Sequence, residues 1–174
     1  MPTDPRDARL IKHKGEFYVL SYSKLLMLRR MKAQPNESLV EHIGDRTTRN
    51  GRFHASVLIR HNLIARDEYA NKVTYRAFEF EEVDLIRIPG DPFAQVVFPH
   101  DSKKLLKIDG QYVYVSPIAY NYLSEASRSR LRVFCGEQST MTSRTCRILK
   151  DYGILEQDGS LAKRFEIIDH TLVL

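Results

Sequence analysis

Two stretches of the chain carry side chains whose types and spacing suit the reading of nucleic-acid bases. In Ser139 to Leu155, the residues Thr140, Ser143, Arg144 and Arg147 fall at helical spacings, so a helix there sets them on one face. In Thr48 to Ile64, the residues Arg49, Arg52, Phe53 and Ser56 do the same. Arginine pairs bidentately with guanine O6 and N7, hydroxyls donate to bases or phosphates, and Phe53 suits contact with a thymine methyl. Downstream of each stretch, Lys72 and Arg76, then Lys163 and Arg164, are placed to clamp phosphates. The competing reading is bland: these are the charges of any solvated helix and hairpin.

Catalytic chemistry has no comparable pattern. There is no phosphate-cradling glycine loop, paired-histidine metal motif or nucleophile elbow. His13, His42, His54, His61, His100 and His170 are scattered, with no close pair at ligand spacing. Glu81 and Glu82 read as a solvated strand end rather than an acid/base couple. Cys135 and Cys146 are too few for a disulfide framework and read as reduced packing residues. The expectation is a protein that is not an enzyme and uses neither cofactor nor metal.

The elements that must position the basic faces come next. Cys146 and Leu149 mark the apolar back of the later helix, and Gly153 stops it in the left-handed conformation. Asn62, also tolerant of that conformation, takes the same place in the earlier helix. The correspondence extends further. Gly15 to Ser21 aligns with Gly110 to Ser116 at an offset of 95, Leu39 and Gly44 align with Leu131 and Gly136 at 92, and Phe78-Glu79 aligns with Phe165-Glu166 at 87. Four blocks in the same order argue for a duplicated module.

Each copy opens with a hairpin, about Lys14-Gly15 and Asp109-Gly110, followed by a helix capped by Ser21 or Ser116. Short second helices over Ser38 to Gly44 and Ser129 to Gly136 lead into the basic third helices. A strand, polar turn and strand then follow: Leu63 to Asp67 with Val73 to Phe80, and Ile154 to Gln157 with Lys163 to Ile168. Val83 to Ile88 and Phe93 to Phe98 flank Pro89 to Pro92 and predict an extra linking hairpin. The expected domains are 9–88 and 105–174, with 89–104 as linker.

The chain has 174 residues and a net charge of +5, with 43% hydrophobic and 28% charged residues, the balance of a folded globular protein. The placement of charge says more than its sum. From Arg46 to Arg60 there are four arginines and no acid; from Arg128 to Lys150 there are five arginines and one lysine against Glu137 alone. Positive charge therefore gathers around the two basic helices, as phosphate contact requires. No apolar run reaches membrane-spanning length and the N-terminus has no apolar leader, so a cytoplasmic protein without membrane contact is expected.

The order hairpin, three helices and two-stranded wing resembles the winged helix-turn-helix family. Ser139 to Leu155 carries the motif, and Thr48 to Ile64 carries it more loosely, with Asn62 in place of glycine and Gly51 inside the helix. The resemblance implies an α+β fold of tandem duplicated winged-helix domains, each third helix entering a major groove and each wing touching the backbone. It also implies sequence-specific binding of double-stranded DNA, as a transcriptional regulator reading two adjacent half-sites. The alternatives are a plasmid or phage replication or partition initiator, and a non-catalytic assembly factor whose partner is a second copy or another protein.

Overall fold

The computed structural model describes residues 7–35, 48–88, 103–117, 119–120, 123–124, 140–158 and 160–173; the side chains of 48–50 and 140–145 lie outside this set. Both opening hairpins form. Strands β1 (Ala8–His13) and β2 (Glu16–Ser21) pair antiparallel about Lys14 and Gly15, whose φ angles are 51° and 80°. These are the paired positive values that a two-residue hairpin turn needs to match strand twist. Ser21 then caps α1 (Tyr22–Ala33), its Oγ accepting from the Lys24 amide at 3.4 Å.

After α1 come α2 (Thr48–Arg60), β3 (Ile64–Tyr69), β4 (Lys72–Ala77), β5 (Glu81–Val83) and β6 (Leu85–Ile88). The second copy supplies β7 (Lys104–Ile108), β8 (Gln111–Val115), α3 (Thr140–Asp151), β9 (Phe165–Ile168) and β10 (His170–Val173). Between β8 and α3, Pro117, Ala119, Tyr120, Leu123 and Ser124 are helical, and Ser116 Oγ accepts from the Ala119 amide at 3.3 Å. Ser116 thus caps its helix as Ser21 does.

The chain divides into two units, Asp7–Val83 with His170–Leu174, and Asp84–Asp169. The first holds a four-stranded sheet of order β10-β2-β1-β5, and the second a sheet of order β6-β8-β7-β9. The plans are the same, and so are the registers. In the first unit β1 sets Lys12 against Glu81 of β5, while β2 takes β10 in parallel from His170 on Phe17 to Val173 on Leu20. In the second, Lys107 faces Glu166 of β9, and β8 takes β6 in parallel from Leu85 on Tyr112 to Ile88 on Val115. Thus β6, which follows the first copy in sequence, fills in the second unit the place that β10 fills in the first.

This architecture corrects the expected fold. The described residues form ten strands and three bounded helices besides the helical residues after Ser116, a strand-rich mixed α and β structure rather than two winged-helix domains of three helices and a two-stranded wing. The reason lies in the strands. A lone hairpin is marginal in water, and the apolar Leu85, Ile86 and Ile88 gain burial only by joining a larger sheet. So 85–88 joins β8 in the second sheet, and 85–88 and 170–173 pair in the opposite units from those read in sequence. Equivalence of Lys12–Glu81 with Lys107–Glu166 also makes Phe80, not Phe78, the counterpart of Phe165. The expected second helices, the strand over Phe93 to Phe98 and Cys135 lie outside the described residues.

Each unit has its own core, assembled from equivalent positions. Leu20, Leu28, Leu58, Leu63 and Val173 are buried in the first; Val115, Leu123, Leu149, Ile154 and Ile88 are their counterparts in the second. Cys146, opposite Ala55 in this correspondence, is buried as expected, but it is disulfide-bonded rather than reduced.

Candidate nucleic-acid interface

The helix stops that frame the two basic faces are identical in bonding. Asn62, at φ 56°, donates its amide to the Ile59 carbonyl at 2.9 Å, and the Leu63 amide reaches the Leu58 carbonyl at 3.0 Å. Gly153, at φ 70°, donates to Lys150 at 2.9 Å, and Ile154 to Leu149 at 2.9 Å. This paired closure satisfies carbonyls that the helix leaves open and turns the chain sharply away from the helix axis.

The two faces of α2 are chemically distinct. Ala55, Val57 and Leu58 are buried, whereas Arg52, Phe53, Ser56, Ile59 and Arg60 are exposed, Phe53 by 60%. Gly51 is buried within a continuous helix. Among the described residues, neither Arg52 nor Arg60 makes an ion pair, unlike Arg29 with Glu82 at 2.6 Å or Lys32 with Glu79 at 3.2 Å. Two free guanidiniums flanking an exposed aromatic and a hydroxyl offer donors, positive charge and a stacking surface together. Sequence spacing therefore finds Arg52, Phe53 and Ser56 where the structure exposes them.

On α3, Cys146 and Leu149 form the buried back and Arg147 is exposed, without an ion pair among the described residues. Arg49 belongs to α2, and Thr140, Ser143 and Arg144 belong to α3; their side chains lie outside the described set.

The expected wings are unequal. In the first unit β3 and β4 form a separate two-stranded sheet through six paired positions, closed by Ala70 and Asn71 at φ 50° and 64°. Lys72 at its tip makes no ion pair among the described residues, but Arg76 pairs with Asp67 at 3.3 Å and lies 5.5 Å from the Phe78 ring centre. In the second unit the expected two-stranded wing reduces to a bridge between Leu155 and Leu161, and Phe165 to Ile168 is drawn to β7 as β9. Lys163 there pairs with Asp109 at 2.7 Å, which holds the Asp109 carboxyl below its ordinary range, while Arg164 is exposed. Arg76 and Lys163 are each neutralised by an acid of the chain, whereas Lys72 and Arg164 make no ion pair among the described residues.

Tyr69, 86% exposed beside the β3–β4 turn, escaped the sequence reading. Its signal was an aromatic among Asp67, Glu68 and Lys72, in a strand with no apolar alternation to bury it. No metal site emerges from the geometry: among the described residues, no group of three or more His, Cys, Asp or Glu side chains is arranged to hold an ion. Nor is any described helix long and apolar enough to cross a membrane. No protein-family model, curated protein or solved structure matches the chain.

Proposed function

We propose that this chain is a sequence-specific double-stranded DNA-binding protein of the cytoplasm, acting as a transcriptional regulator, with α2 as its principal reading helix. One observation carries the reading: the exposed face of α2 presents Arg52, Phe53, Ser56 and Arg60 together, with no counter-ion on either arginine among the described residues. An isolated surface arginine is unremarkable, but an unpaired pair on the face opposite a buried core leaves charge for an external anion. Arg147 on α3 recurs at the equivalent helix and supports a second contact. The 13 residues of α2 span about 20 Å, enough to lie along a major groove.

Binding should weaken steeply with salt. With about six phosphates engaged, log K against log salt has a slope near −5. Fluorescence anisotropy of a labelled random duplex measures it, with Lys72→Ala expected to flatten the slope by about one. Absence of duplex binding at low salt removes this reading. Phe53 and Ile59, exposed on the same helix face, favour protein docking as the second reading, and that result would select it.

A further inference from the structure

We propose that the cleft between the β1–β2 turn and residues 78–81 of the first unit binds a free purine nucleotide, a planar ring with N–H donors joined to a phosphate. The site is independent of the DNA reading, and none of its lining residues belongs to α2. The cleft has a volume of about 570 Å³, and His13, Lys14 and Phe78 line it. That size suits a small ligand.

Three groups there answer three parts of such a ligand. His13 is only 5% exposed, and its Nδ1 lies 2.7 Å from the Glu79 carbonyl oxygen. A carbonyl only accepts, so Nδ1 carries the proton and the neutral ring keeps Nε2 as an acceptor. No second hydrogen bond to this ring occurs among the described residues, and an N–H of a purine supplies one. Phe78 is half-buried, with its ring centre 6.2 Å from that of His13, and offers a face on which a planar base stacks. Lys14 Nζ lies over the same ring at 5.8 Å and makes no ion pair among the described residues. Its flexible stem lets the ammonium leave the ring for a phosphate as the base takes its place. Both acids at the rim have a cation beside them: Glu79 pairs with Lys32 at 3.2 Å, and Glu81 stands opposite Lys12 in the strand register.

The second unit provides an internal control. The hairpin correspondence sets His13 against Ile108 and Lys14 against Asp109, and the match of Phe80 with Phe165 sets Phe78 against Lys163. There, Asp109 and Lys163 join at 2.7 Å across the place where Lys14 and Phe78 stand in the first unit, and Ile108 is buried in the core. An isoleucine and an ion pair therefore satisfy the shared fold. The histidine, the lysine and the aromatic are additions that folding does not explain.

Calorimetric titration of the full chain with AMP and with GMP tests the site, beside the matching nucleosides and ribose 5-phosphate. At least one nucleotide should bind saturably, one per chain, with its nucleoside about tenfold weaker and ribose 5-phosphate weaker still. His13→Ile, which installs the side chain of the second unit, should weaken binding about tenfold. Lys14→Asp combined with Phe78→Lys rebuilds the second unit's ion pair and should abolish binding. Thermal unfolding midpoints close to that of the wild type show that both variants remain folded. Absence of saturable binding of either nucleotide to the wild type overturns the proposal, as does unchanged affinity in the folded variants. Ribose 5-phosphate binding as tightly as the nucleotides would show that no ring is read and overturn it too.

Discussion

The two units share a sheet order, registers, helix caps and helix stops, yet they differ in what they add to that plan. Both place a hairpin at the centre, an antiparallel strand on one side and a parallel strand on the other. Only the first adds the six-position β3–β4 hairpin, where the second has a single bridge. Only the first buries a lysine, where the second has Ala119. The common parts are those that bury apolar surface and satisfy backbone groups. The divergent parts are exposed or electrostatically costly, and folding alone does not account for them. Comparison within one chain thus separates scaffold from site.

The largest effects should fall on the shared scaffold. Leu58 and Leu149, both fully buried at equivalent helix positions, should each cost about 2–5 kcal/mol when cut to alanine. Urea unfolding of Leu58→Ala and Leu149→Ala checks this, and a large loss for one beside a negligible loss for the other would break the equivalence. A smaller effect belongs to the helix stops. Gly153→Ala forces a side chain into positive φ and should cost about 1 kcal/mol, while Asn62→Gly relaxes the same conformation and should be neutral or slightly stabilising.

The smallest effect sharpens the difference between units. His54 titrates below its ordinary 6.5 in the folded chain, so the unfolded chain takes up its proton first as pH falls. Its contribution to stability is present above 6.5 and is lost as pH falls through the folded value. Unfolding of wild type and Lys24→Met between pH 7.5 and about 5 should show a shallower loss in the variant, because the neighbouring cation that disfavours imidazolium is gone. Identical pH dependences would mean that Lys24 does not act on His54.

Local chemistry was legible in the sequence wherever a single residue decides the conformation. Asn62 and Gly153 as stops, Ser21 and Ser116 as caps, and the Lys14-Gly15 and Asp109-Gly110 turns all stand where backbone preference puts them. The apolar back of α3, with Cys146 and Leu149, followed from helical periodicity. Pairing partners did not. Periodicity says that Leu85 to Ile88 is an apolar extended run, but nothing local says that its partner is β8, more than twenty residues downstream. The same blindness assigned Lys163 to Ile168 to a wing, although Phe165 to Ile168 pairs with β7. The Phe-Glu dipeptide repeats within Phe78 to Glu81, so sequence matching slipped by two residues, which keeps the alternation of faces and hides the error.

For the basic face, spacing was sufficient on α2, where Arg52, Phe53 and Ser56 are exposed together. Which cations are free was not legible, because Asp67 and Asp109 neutralise Arg76 and Lys163 through folds of the chain.

Selection of binding sites from a random duplex library, run with the wild type, Arg52→Ala and Arg147→Ala, tests the central claim most directly. The wild type should enrich a defined sequence read in two segments about 10 base pairs apart. Arg52→Ala should lose about 1–3 kcal/mol on that sequence and relax one segment, and Arg147→Ala should relax the other. Failure of the wild type to enrich any sequence would contradict the account, as would an unchanged sequence preference in Arg52→Ala.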